Sequence, residues 1–341
     1  MTHAICVVTK ILVAIMVLFM TAWASLAAYR SDTPNATART LFAAGIVLAT
    51  ILTFVLIRRK GVALVSYLAA WSLFTLWWCS ITPSNVRNWQ PDVAVLPYAE
   101  ISGDMVTVRN IRNFTYRSET DYQPGYYDKT FDLKKLDSVD LIAVYWMGDA
   151  IAHIMLSFGF EDQDYLCFSI ETRKEQGEEY STLKGFFRQY ELIYVVADER
   201  DLIRLRTDYR NPREEVYLYR TRMPQENAQK LFFEYIKTIN SLRDKPEFYN
   251  TLTTNCTTDV VRHFQSFGGI MRYNWKILLS GYTPLYAYEI GGLDDTLPFE
   301  ELRARSYINP KAQVIGDAPD FAVKIREEMK RLESSRPTDL Q

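Results

Sequence analysis

Few side chains in this 341-residue chain could carry out covalent chemistry. Cys256 stands in "YNTLTTNCTTDVVRHFQSFGG", behind a run of hydroxyl and amide residues. The pattern predicts a helix that starts there, with Thr254 or Asn255 as its cap and Gly268-Gly269 as its stop. At a helix start the unpaired N–H groups and the positive end of the dipole favour a thiolate and can hold a developing oxyanion. The position therefore suits a nucleophile that forms a thioester, with the Cys256 N–H and the Asn255 side chain as candidate oxyanion donors. Two other readings stay open. Cys256, Val260, Phe264 and Phe267 fall on one helical stripe, so the thiol could be a small core residue. In an oxidising compartment it could also bridge to Cys167, because Cys6 and Cys79 lie in or near long apolar runs.

A thiol nucleophile needs a base, and the chain has three histidines. His3 precedes the first apolar run. His263 lies seven residues beyond Cys256 on the same helix, about 10 Å of rise away, and is expected to pack or face solvent. His153 begins the strand-like run "AHIMLSFGF". If that run pairs with "YLCFSIETR" around the turn "EDQD", then His153, Met155 and Ser157 share a face with Glu171, Ser169 and Cys167. Glu171 would then orient the imidazole as the third member of a triad, with Ser169 as the fallback. A slip of one residue would put Thr172 opposite His153 instead.

These residues need a scaffold, and the surrounding sequence predicts one. "YAEISGDMVTVRNIRNFTYR" alternates around a Gly-Asp turn and reads as a hairpin. "DLKKLDSVDLIAVYWMG" leads into a strand, and "YELIYVVAD" and "EVYLYRTR" add two more. "PQENAQKLFFEYIKTINSL" starts at Pro224 and repeats apolar residues at three-four spacing from Ala228 to Leu242, the mark of a helix with one buried face. "DFAVKIREEMKRLESS" predicts a charged, weakly amphipathic C-terminal helix with a loose end. The expected fold class is α+β, an antiparallel sheet with helices on one side.

Ahead of this part lie three uncharged or nearly uncharged runs: Ile11 to Tyr29, Thr40 to Ile57, and about twenty residues from Val62. Each has the length of a membrane-crossing helix. Arg58, Arg59 and Lys60 in the second link point to the cytoplasm by the positive-inside rule, which sends the chain after Ser80 to the far side. "ASLAA" at the end of the first run could be a signal-peptidase site. No cysteine sits in a lipobox, so no lipid attached to this chain is expected. The expected organisation is an anchor over 1–81, a catalytic domain over 82–310, and a C-terminal helix and tail over 311–341. A net charge of −2, from 39 basic and 41 acidic residues, gives no field for nucleic acid. No phosphate loop, paired-cysteine zinc spacing or histidine cluster appears, so no cofactor or metal is expected. The oligomeric state is not readable.

"WQPDVAVLPYAEISGDMVTVRNIRNFTYRSETDY", "YWMGDAIAHIMLSFGF", "FSIETRKEQGEEYSTLKGFFRQYELIYVVADERD" and "YNTLTTNCTT" resemble the Lnb N-terminal periplasmic domain family, over roughly Thr82 to Asn309. The resemblance implies a periplasmic thiol enzyme of papain-like fold with the histidine before the cysteine in sequence, a permuted order. It also implies N-acylation of bacterial lipoproteins through a thioester, on a membrane lipid or lipoprotein substrate at the inner membrane. Carried over, Cys256 would accept the acyl group, His153 would be its base and Glu171 the polar partner. The three spans here differ from the namesake proteins' membrane portion. A cell-envelope thiol peptidase or amidase, or a periplasmic binding module without turnover, is the alternative.

Overall fold

The computed structural model describes residues 2–31 and 35–334. The three apolar runs are helices: α1 (Thr2–Tyr29), α2 (Ala36–Leu56) and α3 (Lys60–Cys79). All three are long and apolar enough to cross a membrane. Leu18, Phe19, Leu56 and Leu73 are exposed on them, an arrangement disfavoured in water and neutral in hydrocarbon. The polar groups find partners inside the bundle: Thr21 and Tyr67 hydroxyls are 3.0 Å apart, and Trp71 Nε1 donates to the Met20 carbonyl at 3.3 Å. The protein is thus membrane-anchored. Part of the link between α1 and α2 lies outside the described residues.

The chain divides into two compact units, Met1–Ser84 with Tyr180–Glu191, and Asn85–Glu179 with Leu192–Gln341. The second unit begins with β1 (Tyr98–Ser102) and β2 (Met105–Arg112), the hairpin expected around Gly103-Asp104. Gly103 takes φ +59°, which that tight turn requires. β3 (Thr115–Tyr116) and β4 (Tyr122–Gln123) make a small separate ladder, and β5 (Tyr126–Asp132) pairs with β2. Then come β6 (Leu136–Tyr145), β7 (Ala152–Phe160), β8 (Asp164–Arg173), β9 (Glu191–Ala197) and β10 (Glu215–Arg220). The main path across the sheet is β1-β2-β9-β8-β7-β6-β10. Pairing is antiparallel for β6 with β7, β7 with β8 and β10 with β6, while β2 meets β9 in parallel at Arg112 and Ala197, so the sheet is mixed.

The helices are α4 (Glu199–Arg204), α5 (Gln225–Asp244), α6 (Cys256–Ser266), α7 (Trp275–Leu278), α8 (Thr283–Glu289), α9 (Phe299–Ser306), α10 (Asn309–Ile315), α11 (Phe321–Lys324) and α12 (Glu327–Ser334). α5 buries the face its spacing predicted, and Pro224 caps it rather than opening it. Helices cover both faces of the sheet, not one. On one face Met155, Cys167, Ile193 and Val195 pack with Leu202, Ala312 and Phe321. On the other, Phe158 lies 5.2 Å from Phe232 and Phe168 lies 5.2 Å from Tyr235, ring centre to ring centre. The physical reason lies in the strands: β6 to β9 are buried at nearly every position, on both faces of the pleat, so both faces need cover.

The C-terminal stretch departs from the single surface helix expected there. It breaks between α11 and α12, and Arg326 at the break is wholly buried. Its guanidinium bonds Asp140 at 2.7 Å and Glu199 at 2.7 and 2.5 Å, and lies 3.7 Å from the centre of the Tyr165 ring. Residues 311–334 therefore belong to the second unit rather than to a separate tail. Residues 335–341 lie outside the described residues.

Candidate active site

Asn255 starts α6 with a capping box. Its side-chain oxygen accepts from the N–H groups of Thr257 and Thr258, both at 2.9 Å, and its own N–H donates to the Thr258 hydroxyl at 2.9 Å. The Asn255 amide nitrogen donates to the Thr251 carbonyl at 2.6 Å. That side chain thus shapes the turn as its cap, with one of the two amide hydrogens used for the Thr251 carbonyl. The Cys256 N–H is the first-turn donor that neither the cap nor any recorded bond among the described residues engages.

The β7–β8 hairpin adopts the first of the two registers considered. Met155 faces Ser169 and Ser157 faces Cys167, which sets His153, Ser169 and Glu171 on one face and turns Thr172 to the other. The ladder ends at Met155 and Ser169, although β7 stays paired with β6 back to Ala152. Beyond that point β7 and β8 form a fork. α6 packs on the opposite face of these strands from Ser169, and the Cys256 sulfur meets the fork from that side. There the Ile154 backbone N–H and the His153 ring both act on it, and each lowers its pKa. Sulfur and imidazole thus converge around a strand end.

His153 Nε2 lies 2.6 Å from Ser169 Oγ and 3.2 Å from Glu171 Oε1, and Ser169 Oγ donates to that same oxygen at 2.7 Å. With Nε2 engaged there, Nδ1 is the nitrogen that serves the sulfur. The order is Cys256, His153, Ser169, Glu171, with the serine hydroxyl relaying between ring and carboxylate. Ser169, the fallback in the sequence reading, and Glu171 act together.

The electrostatics favour an ion pair. Burial works against a charged His153, but the Glu171 carboxylate first and Cys256 second outweigh it and raise its pKa to about 9. Burial pushes the Cys256 thiol up. The imidazolium and its hydrogen bond, then the Ile154 N–H and the Thr257 hydroxyl, bring it below its ordinary value. Burial would likewise raise Glu171, yet His153 and then Arg206 hold it well below the usual carboxylate range. A half-buried thiol with a lowered pKa has the properties a nucleophile needs. Cys167 is buried, and both it and Cys256 are free, so no bridge joins them.

Arg206 escaped the sequence reading. It sits in a π-helical turn, Leu205–Tyr209, directly after α4, and its Nη2 donates to Glu171 Oε1 at 3.1 Å. The same guanidinium lies 3.6 Å from Glu214. A π-turn leaves no periodicity to read, so nothing in "ERDLIRLRTDYR" marks it. His263 packs as expected. Its ring is buried 4.4 Å from the Tyr235 ring centre, it bonds the Tyr194 hydroxyl at 2.9 Å, and burial and then Arg262 drive its pKa to about 3. Further along α6 and β7, a cavity of 310 Å³ is lined by Leu141, Leu156, Phe264, Phe267, Met271 and Ile290.

Residues 122–281 match the family model of the Lnb N-terminal periplasmic domain. The match is narrower than the resemblance read from the motifs, yet it holds His153, Ser169, Glu171, Arg206 and Cys256. No curated protein is matched, and no solved structure is matched.

Proposed function

We propose that this protein is a membrane-anchored periplasmic cysteine acyltransferase or hydrolase that works through a Cys256 thioester on a lipid or lipoprotein. The observation that carries the reading is the connected chain Cys256–His153–Ser169–Glu171 at the β7–β8 fork. The Cys256 thiolate attacks an ester carbonyl, and the Cys256 N–H receives the developing oxyanion. As the tetrahedral adduct collapses, the C–O bond breaks and His153 Nδ1 gives its proton to the departing alkoxide. An amine, or water, then attacks the thioester. His153 takes a proton from it, the C–S bond breaks, and an amide or a carboxylic acid leaves with the thiolate restored. Through both steps the Glu171 carboxylate, by way of Ser169, keeps the ring oriented and favours its charged form.

Three features support a lipid over a soluble peptide as the acyl source. The chain is anchored in a membrane, which spares an acyl chain from exposure to water at about 0.8 kcal/mol per CH₂. An apolar cavity of 310 Å³ lies along the nucleophile's own helix. By the positive-inside rule, the Arg58-Arg59-Lys60 link supports a cytoplasmic N-terminus and a second unit on the periplasmic side of the inner membrane. The test is mass spectrometry of the Cys256 peptide after incubation with phospholipid, together with lipoprotein N-termini from cells with and without the protein. A hydroxylamine-labile acyl adduct on Cys256, lost in Cys256→Ala, is the expected result. Unchanged lipoproteins and an unmodified Cys256 would remove the acyl-transfer reading.

A further inference from the structure

The second unit exposes an apolar and aromatic surface beside the start of β7. Trp146 and Met147 stand in the β6–β7 loop, and Tyr273, Trp275, Leu278 and Leu279 stand in and around α7. Met147 is 66% exposed and Trp275 57%, values that a core residue never shows and that a water-facing Trp rarely has reason to keep. The two segments are fastened together. Tyr145 donates its hydroxyl to the Gly281 carbonyl at 2.7 Å, the Gly281 N–H donates to the Ala150 carbonyl at 3.1 Å, and the Ala152 N–H donates to the Ser280 hydroxyl at 3.0 Å. Contact at Gly281 is so close that a Cβ there would lie 2.0 Å from the Asp149 carbonyl oxygen. The six side chains are therefore held by one rigid frame, and that frame ends one residue before His153.

We propose that this surface is an interfacial membrane-docking patch, which inserts into the bilayer surface of the membrane that anchors the chain. Two Trp, one Tyr, two Leu and a Met are the side chains that partition to the boundary between headgroups and acyl chains. Covalent geometry supplies the membrane. α3 ends at Cys79 and the second unit starts at Asn85, and five intervening residues reach no further than about 20 Å even when extended. A surface of this composition on a unit so tethered meets lipid headgroups before any soluble partner. The attraction is mainly apolar, because Lys276 is paired with Glu289 and Arg303 with Asp149, and Arg272 is turned to the Gly269 carbonyl.

The test uses the full chain in nanodiscs of phosphatidylethanolamine and phosphatidylglycerol doped with a phospholipid carrying a photoactivatable diazirine on its acyl chain. Peptides covering 146–147 and 273–279 are expected to be labelled along with the three spans, to the same extent in high salt. Replacing Trp275→Glu and Leu278→Glu together lowers labelling at Trp146 and Met147 several-fold, with the spans as internal reference. Labelling confined to the spans, or lost in high salt, overturns the proposal and leaves a protein partner or a second copy as the occupant. Cys256→Ala is expected to be labelled like the unaltered chain, so this result stands apart from whether Cys256 turns over any substrate.

Discussion

Replacing Cys256 by serine isolates the charge on the sulfur. The serine hydroxyl can keep the hydrogen bond to His153 but stays neutral, so the ring loses one of the two anions that hold its pKa at about 9. An opposite charge at hydrogen-bonding distance moves a pKa by about 1–3. His153 in Cys256→Ser should then titrate between about 6 and about 8. The corresponding thiolate–imidazolium coupling is about 1.4–4 kcal/mol, at 1.36 kcal/mol for each tenfold change in proton affinity. The sign of the stability effect follows. A folded-state pKa above the ordinary 6.5 means that the pair's contribution is complete below pH 6.5 and fades as pH rises through about 9. In the serine variant it fades at lower pH. The assay is ¹⁵N NMR of selectively histidine-labelled protein, in which only three imidazoles can appear. His263 stays neutral down to about pH 3, and His153→Gln identifies the signal that matters. A His153 midpoint below about 7 in the unaltered protein, or an identical midpoint in both proteins, would refute the ion-pair argument.

Ser169→Ala removes the hydroxyl that bonds both His153 Nε2 and Glu171 Oε1, leaving only their direct 3.2 Å contact and weakening the hold on the ring by about 1–3 kcal/mol. Alkylation of Cys256 by iodoacetamide at neutral pH should slow roughly 5- to 100-fold, and an unchanged rate would exclude the serine relay. Asn255→Ala deletes the capping box, a loss of about 0.5–2 kcal/mol, and should lower Tm while raising amide exchange in the first turn of α6. Arg326→Met strands Asp140 and Glu199 in the core without their shared cation, at about 3–5 kcal/mol, seen as a large fall in Tm; a surface-like response would contradict its burial.

How much could be read beforehand depended on the range of the signal. The spans are local and long, and "AHIMLSFGF" and "YLCFSIETR" flank a four-residue turn, so the hairpin followed from neighbouring residues and its register to within one residue. The stripe on α5 was equally local. The convergence of Cys256 with His153, some hundred residues apart, rested on chemistry alone, since no periodicity encodes where an incoming helix meets a strand end. What stayed hidden was non-local or irregular. β5 is a short strand of tyrosines and charges, Arg206 rides on a π-turn, and Arg326 is a cation whose burial depends on carboxylates far away in sequence. The cap on α6 was legible in the sequence, since Asn255 just ahead of the helix is a capping residue type, and its side chain closes that turn.

Because sulfur and ring arrive around a strand end from the two sides of the sheet, neither layer of helices can assemble them alone. The lowered pKa of the thiol is therefore a property of the completed fold, and a chain in which His153 and Cys256 have not yet met has a thiol of ordinary acidity.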